Sequence, residues 1–276
     1  MEFYKYHGAG NDFILIDNLE DEIREEDKPS LARRLCHRRF GIGADGLVLM
    51  ENSTIADIKM RIFNPDGSEP EMCGNAIRCL AKHVYDTKLK SKRISIETLA
   101  GIKEVEVTPK DQKIAYVKVD MGRPLFDRKD IPAVGEGRLL GEKLKVRGEE
   151  FVIYGVNTGV PHVVVFSEDI DNTDIVEIGR AIRFNTLFPE GTNVNFLEKI
   201  GENIFKVRTY ERGVEDETLA CGTGIVACGV IASILGEAEP EKPIEIKAKG
   251  GTIYVEKSGE NWLLNGPAEF VFKGEI

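Results

Sequence analysis

The sequence predicts an α+β protein of two pseudo-symmetric domains, each a mixed, mostly antiparallel sheet wrapped around a central helix. Three observations carry that expectation. Strand-like segments outnumber helical ones and pair as hairpins, which fits poorly with a doubly wound α/β fold. Four landmarks recur in order at one spacing: Gly10 and Gly159 in turns before FILID and HVVVF, Gly43 and Gly191 in GIGADG and PEGTNV, Cys73 and Cys221, and Gly101 and Gly251. Their offsets are 149, 148, 148 and 150 residues, the mark of an internal duplication. Last, ACGTGIVACGVIASILG, from Ala220 to Gly236, holds no charged residue. A helix apolar all round is buried on every side. This one is too short for a membrane span, so strands must enclose it.

The elements follow in order. Residues 3–17 alternate as two strands around HGAGND, a glycine-rich turn that presents Asn11. After an acidic stretch from Glu20 to Asp27, LARRLCHRR reads as a helix stopped by Gly41. Leu47–Met50 is an apolar strand. In DIKMRIF, Ile58, Met60 and Ile62 alternate with Lys59 and Arg61, giving a strand that ends at Asn64. NPDGSEPEMCGNAIRC is a polar turn that delivers Cys73 and Gly74 to the first turn of a helix, whose apolar stripe runs through Ala76, Ile77, Leu80, Ala81, Val84 and Tyr85. ISIETLAGIKEVEV, 94–107, is a hairpin bent at Ala100–Gly101, and Ile114–Val119 is a further strand. Residues 122–138, rich in Pro, Gly and charge, are the expected linker. Domains of 1–119 and 120–263 result, with the final strands Trp262–Leu264 and Ala268–Phe272 expected to return residues 264–276 to the first.

With 276 residues, 42% hydrophobic and 30% charged, the chain has the composition of a soluble globular protein. A net charge of −10 argues against nucleic acid or an anionic membrane as partner. No stretch resembles a signal peptide or a membrane span, so a cytoplasmic location is expected. Five cysteines without the spacing of a zinc site or a disulfide framework read as reduced thiols, with no metal. Cys36, Cys79 and Cys228 read as small core hydrophobes.

Cys73 and Cys221 differ from these, because each opens a helix. Backbone N–H groups and the helix dipole favour negative charge there and lower a thiol pKa from about 8.5 toward neutrality. Two similar domains related by a pseudo-two-fold axis would set one sulfur on each face of a bound carbon acid. A thiolate then takes a proton from one side while a thiol returns one from the other. The reaction runs both ways, so acid and base need matched proton affinities, which twin cysteines supply. Other polar residues are more ambiguous alone. Asn11, Asn64, Asn157 and Asn193 sit beside turns, where asparagine is also ordinary turn chemistry. Glu211 and Arg212 open the second cysteine loop, as an exposed ion pair or with Arg212 as a fork for a carboxylate. His162, after Pro161 in a repeat-equivalent turn, is a structural histidine or tunes a thiol.

Taken together, HGAGNDF, the N-P-D-G-S-E turn, MCGNAIRC, VPH and YERG…ACGTG closely resemble diaminopimelate epimerase, a family of pyridoxal-independent amino-acid racemases. The resemblance implies two acid/base cysteines, Cys73 and Cys221, and no cofactor. It implies substrate contacts from Asn11, Asn64, Asn193 and Arg212, and a cradle for the reacting carboxylate made by Gly74–Asn75 and Gly222–Thr223. His162 and Glu211 would adjust the thiols and hold the reacting ammonium. Where many relatives carry Asn, this chain has Val160, so one distal contact is missing or supplied by Asn157. Thr223 stands where serine is common and keeps the hydroxyl, and Gly46 stands where some relatives have Gln. The implied reaction interconverts LL- and meso-diaminopimelate in lysine biosynthesis, and a homodimer is one assembly the resemblance allows.

Two other readings remain. A two-thiol racemase of the proline or hydroxyproline type needs no polar pocket for a distant ammonium and carboxylate, whereas the Asn and Arg set implies one. A non-catalytic amino-acid binding module would keep Arg212 and the asparagines yet gain nothing from paired thiols. Iodoacetamide labelling separates enzyme from binder. Fast, pH-dependent alkylation at Cys73 or Cys221, blocked by substrate, is expected of the enzyme, and slow labelling throughout would mark the binder.

Overall fold

The computed structural model describes all 276 residues. In chain order the elements are β1 (Glu2–Gly8), β2 (Asn11–Asp17), α1 (Lys28–Cys36), β3 (Gly46–Glu51), β4 (Ile58–Phe63), α2 (Gly74–Val84), β5 (Arg93–Thr98), β6 (Gly101–Pro109) and β7 (Ile114–Asp120). They continue with β8 (Leu140–Val146), β9 (Glu149–Asn157), β10 (Pro161–Phe166), α3 (Ile175–Arg183), β11 (Asn193–Gly201), β12 (Ile204–Glu211), β13 (Asp216–Thr218), α4 (Gly222–Ile234), β14 (Ile244–Ala248), β15 (Gly251–Ser258) and β16 (Asn261–Glu275). The chain divides into two compact units, Met1–Asp120 with Asn265–Ile276, and Met121–Leu264.

In the first unit the strands run in order from β1 to β7 and on to the end of β16. The end of β16 pairs antiparallel with β1, from Glu2 opposite Glu275 to His7 opposite Glu269, so the sheet closes on itself. Two neighbouring pairs are parallel, β2–β3 and β4–β5. Each needs a crossover long enough to hold a helix. The first crossover carries α1, which lies outside: Leu31, Ala32 and Leu35 share a core with Ile14, Ile16, Leu47 and Leu49. Strand residues alternate faces, so Phe13, Leu15, Val48 and Met50, all buried, point to the inner side. There lies α2, carried by the second crossover and packed against β1, β2, β3, β4, β6 and β7. Every residue of α2 is buried.

The second unit repeats this plan. Its parallel pairs are β10–β11, with α3 in the crossover, and β12–β14, with α4. Asp174 caps α3, accepting from the Glu177 amide at 3.1 Å. Ile175 and Ile182 of α3 share a core with Val163, Val165, Val194, Phe196 and Tyr210. The uncharged helix α4 packs against β9, β10, β11, β12, β14 and β15. The landmark glycines share a backbone state as well as a spacing: φ is 84° and 112° at Gly10 and Gly159, 81° and 68° at Gly43 and Gly191, and 87° and 143° at Gly101 and Gly251. Positive φ is open to glycine at little cost, so the duplication is written in turns as well as in helices.

Several details depart from the sequence reading. Residues 122–138 are folded onto the second unit and are not a linker. Leu125 bridges Asn157, Asp127 bridges Arg138, and buried Ile131 and Leu139 cover Gly155, where an added Cβ would stand 3.0 and 2.9 Å from them. Their Pro and Gly content reflects tight turns at Gly122, Gly135 and Gly137, all with positive φ. Strands β8 and β9 are additions to that reading; of β8 only Val146 is buried, so it lacks an apolar face that would mark it as a strand. The last two expected strands are one, since the chain stays extended through Asn265, Gly266 and Pro267. The first helix begins at Lys28, earlier than its LARRL core, with Pro29 in its first turn. His162 lies on β10 and not in a turn.

One contact sets how closely α3 seats on its sheet. A Cβ at Gly179 would fall 2.5 Å from Cβ of buried Tyr210. Gly179→Ala should therefore lower unfolding free energy by about 1–3 kcal/mol despite the better helix propensity of alanine. Urea denaturation of the full chain checks this, and an unchanged midpoint would show that α3 can shift without cost.

Candidate active site

Both cysteines singled out by the sequence are helix N-cap residues in nearly the same backbone conformation. Cys73 has φ −138° and ψ 119°, and Cys221 has φ −108° and ψ 109°. Their carbonyls accept the first helical bonds, from Ile77 at 3.0 Å and Ile225 at 2.9 Å. Neither side chain makes a capping bond, in contrast to Asp174 of α3. Helical geometry leaves the first-turn N–H groups of Gly74 and Asn75, and of Gly222 and Thr223, to acceptors from outside the helix. Cys73 is half-buried and Cys221 is 8% exposed.

In the first unit a directional hydrogen-bond chain runs from α2 through its first turn to the start of β2. Arg78, fully buried in α2, donates to Asn75 Oδ1 at 2.9 Å, Asn75 Nδ2 to Asn11 Oδ1 at 3.0 Å, and Asn11 Nδ2 to Asp45 Oδ2 at 2.7 Å. Arg78 also donates to the carbonyls of Gly74 at 3.0 Å and Pro267 at 3.2 Å. Its acceptors are thus neutral oxygens, an unusual setting for a buried cation. Burial pulls the guanidinium down to about 10, opposed by the thiols of Cys79 and Cys73. It is still charged at neutral pH. Asp45 and Asp12 share Arg38, and Lys5 pairs with Asp12 at 2.6 Å. Despite burial, Arg38 and Lys5 hold the Asp12 carboxyl down at about 2. Asn64 follows β4 and bonds Ser68 Oγ through Nδ2 at 2.9 Å.

In the second unit Cys221 connects through Thr223 to His162 and Asn195. His162 is fully buried, with Nε2 2.9 Å from Thr223 Oγ1 and Nδ1 3.1 Å from Asn195 Nδ2. Burial first, and Arg212 second, hold the imidazole down at about 3, so it is neutral. Thr223 Oγ1 in turn lies 3.4 Å from Cys221 Sγ. Asn193 spans two backbones, donating to Pro161 O at 2.9 Å and accepting from the Arg212 amide at 2.9 Å. It thereby positions Arg212, whose guanidinium reaches the carbonyls of Glu190 and Gly191 at 3.3 and 3.4 Å. Asn157 ties the end of β9 to its surroundings through Asp130 O at 2.6 Å and the Gly159 amide at 2.9 Å. Glu211 closes β12, and its carbonyl accepts from the Glu215 amide at 2.8 Å.

The remaining cysteines are buried, and burial pushes the thiols of Cys36 and Cys79 up to about 12 and that of Cys228 higher still. No group of three or more His, Cys, Asp or Glu side chains converges as a metal site would require, and no helix is long and apolar enough to cross a membrane. Sequence reading missed Arg78, Asn195 and Gly224. Arg78 had a signal, a cation inside an otherwise apolar helix start. Asn195 had none, because an asparagine inside the strand NVNFLEKIG does not announce its partners.

The sequence profile of diaminopimelate epimerase matches residues 3–126 and 154–271. The chain belongs to the diaminopimelate epimerase family. It is 48% identical to a diaminopimelate epimerase of Methanothrix thermoacetophila, across 100% of this chain and 96% of the relative. It is also 48% identical to one of Archaeoglobus fulgidus, across 99% and 95%. Among solved structures, a Bacillus anthracis phenazine biosynthesis protein of the PhzF family has a TM-score of 0.72 at 18% identity, covering 100% of this chain and 98% of that one. A probable proline racemase of Agrobacterium radiobacter has a TM-score of 0.70 at 14% identity, covering 100% and 92%. At such identities these neighbours share the fold. Membership of the epimerase family rests on the full-length sequence relatives.

Two histidines are buried and neutral: His162, and His83 of α2, which bonds the Tyr6 hydroxyl through Nδ1 at 3.1 Å and is held down at about 4 by burial. Their folded values lie below the ordinary 6.5, so the unfolded chain takes up these protons first. Stability is full above pH 6.5 and falls as pH drops toward 4, by about 1.4 kcal/mol per pH unit for each histidine. Urea titrations at stepped pH should show that slope, and His83→Leu should roughly halve it. A flat profile between pH 6.5 and 4.5 would contradict the buried neutral state.

Proposed function

We propose that this chain interconverts LL- and meso-2,6-diaminopimelate by proton transfer at the α carbon between Cys73 and Cys221. The reaction needs neither pyridoxal phosphate nor metal and serves lysine biosynthesis in the cytoplasm. The observation that carries this reading is the duplicated cysteine at a helix N-cap, in a chain 48% identical over its length to diaminopimelate epimerases.

The chemistry follows from the residues. One sulfur, as thiolate, takes the α proton, and the C–H electron pair moves toward the carboxylate, whose charge grows. The other sulfur, as thiol, delivers a proton to the opposite face and becomes the thiolate. Each turnover exchanges the two protonation states, and the reverse reaction restores them. First-turn N–H groups of Gly74, Asn75, Gly222 and Thr223 suit the growing carboxylate charge, because helix N-termini bind anions with donors fixed in advance. Arg212, Asn11, Asn64 and Asn193 would hold the remaining polar groups of the substrate and Glu211 an ammonium, with Asn157 in reach of the distal end.

Replacing either Cys73 or Cys221 by alanine should reduce epimerisation of LL-diaminopimelate by at least about 10³-fold, in line with loss of a positioned acid or base. Loss of optical activity and solvent deuterium at the α carbon report it. Near-normal rates in both variants would overturn the two-thiol reading. Turnover of proline in preference to diaminopimelate would overturn the substrate.

A further inference from the structure

We infer that Asn195 is a positioning residue that fixes His162 as the neutral Nε2–H tautomer, so that the imidazole donates through the Thr223 hydroxyl toward Cys221 Sγ and does not act as a base for that thiol. The consequence for catalysis rests on the two-thiol reading above; the tautomer itself does not.

The donor directions are forced one bond at a time. Asn195 is fully buried on β11, with Nδ2 3.0 Å from the carbonyl oxygen of Val163 and Oδ1 3.0 Å from Thr209 Oγ1. A carbonyl oxygen only accepts, so the carboxamide must present its NH₂ to Val163. The second hydrogen of that NH₂ points to His162 Nδ1 at 3.1 Å. Nδ1 therefore carries the lone pair, and the single ring proton of the neutral imidazole sits on Nε2. That proton faces Thr223 Oγ1 at 2.9 Å, and once Cys221 is a thiolate only the Thr223 hydroxyl can donate across the 3.4 Å to Sγ. Thr209, Asn195, His162 and Thr223 thus donate in one direction, ending on the sulfur. A flipped carboxamide would set oxygen against oxygen at Val163, a buried repulsion with a cost well above that of an ordinary rearrangement.

The same geometry removes His162 as a proton acceptor, since one ring nitrogen is protonated and the other is occupied. Arg212, the charged group acting on the ring, also opposes a second proton. A hydroxyl donating to sulfur favours thiolate over thiol, as hydrogen bonds to a charged form do. Gly224 makes the arrangement possible. A Cβ there would stand 2.3 Å from Asn195 Oδ1 and 3.3 Å from His162 Cε1, so α4 approaches the pair only with glycine at that position.

Two measurements on substrate-free full-length protein test this. Proton–nitrogen correlation spectra of ¹⁵N-histidine protein, with His162→Gln to assign the ring, should show a protonated Nε2 and a bare Nδ1, unchanged from pH 5 to pH 9. A protonated Nδ1 or an imidazolium at pH 7 would overturn the proposal without any variant needing to fold. In a Cys73→Ser background, Asn195→Leu and Thr223→Val should each move the midpoint of Cys221 alkylation up by about one pH unit, slowing alkylation at pH 7 about tenfold. The double variant should move it no further, because both cut one chain. Unmoved midpoints, or additive shifts, would overturn it. An inactive wild-type enzyme with the expected spectra would sink the proposed reaction and leave the tautomer standing.

Discussion

A helix enclosed by strands has only its ends to offer, and this constraint governs both units. The flanks of α2 and α4 are consumed by packing: all of α2 is buried, and so is α4 apart from Thr223, Ser233 and Ile234. Whatever chemistry these helices contribute must come from their first turns, where N–H groups point along the axis. A serine or aspartate at the N-cap would answer one of those donors and stabilise the helix by about 1 kcal/mol. Cysteine at both positions gives up that gain. In exchange each helix start carries a sulfur beside the first-turn N–H groups.

The two helix starts reach similar ends by different means. Near Cys73 the supporting charge is permanent: the Arg78 guanidinium, buried among neutral oxygens, with Asn75 and Asn11 aligned in series to Asp45. Below Cys221 no cation enters the helix, whose sequence from Ala220 to Gly236 is uncharged. Support comes there from neutral donors on β10, β11 and α4. Duplication preserved the backbone plan and let the polar interior diverge. Ala76 of the first repeat sits where the second needs Gly224, a difference that follows from Asn195 lying against α4 and not from helix propensity.

Much of this was legible in the sequence, because the strongest signals were spaced at a fixed interval. Glycines with positive φ and cysteines at helix starts are local requirements, and local requirements repeat when a chain duplicates. The α+β class followed from hairpins and an uncharged helix. What escaped was written in three-dimensional pairing. The 122–138 stretch looks like a linker by composition, yet Ile131 and Leu139 anchor it on Gly155. Trp262–Leu264 and Ala268–Phe272 read as two strands, yet the strand continues between them and Pro267 offers its carbonyl to Arg78. Asn193, expected to contact substrate, also uses its carboxamide to join two backbones, and its service to Arg212 could be seen only with both strands in place.

The closure of the first sheet by β16 bears on how the chain comes off the ribosome. Met1 and Ile276 bond each other through their backbones at 2.8 and 3.0 Å, and β1 spends one whole edge on residues 269–275 of β16. The strands β1 to β7 emerging during synthesis therefore wait with that edge open until β16 has been made. This final seam is among the most non-local contacts a chain of this length can make, the kind that slows folding. Charged residues along that seam, Glu2 and Lys5 on β1, are the sort that discourage an open edge from pairing with a neighbouring nascent chain.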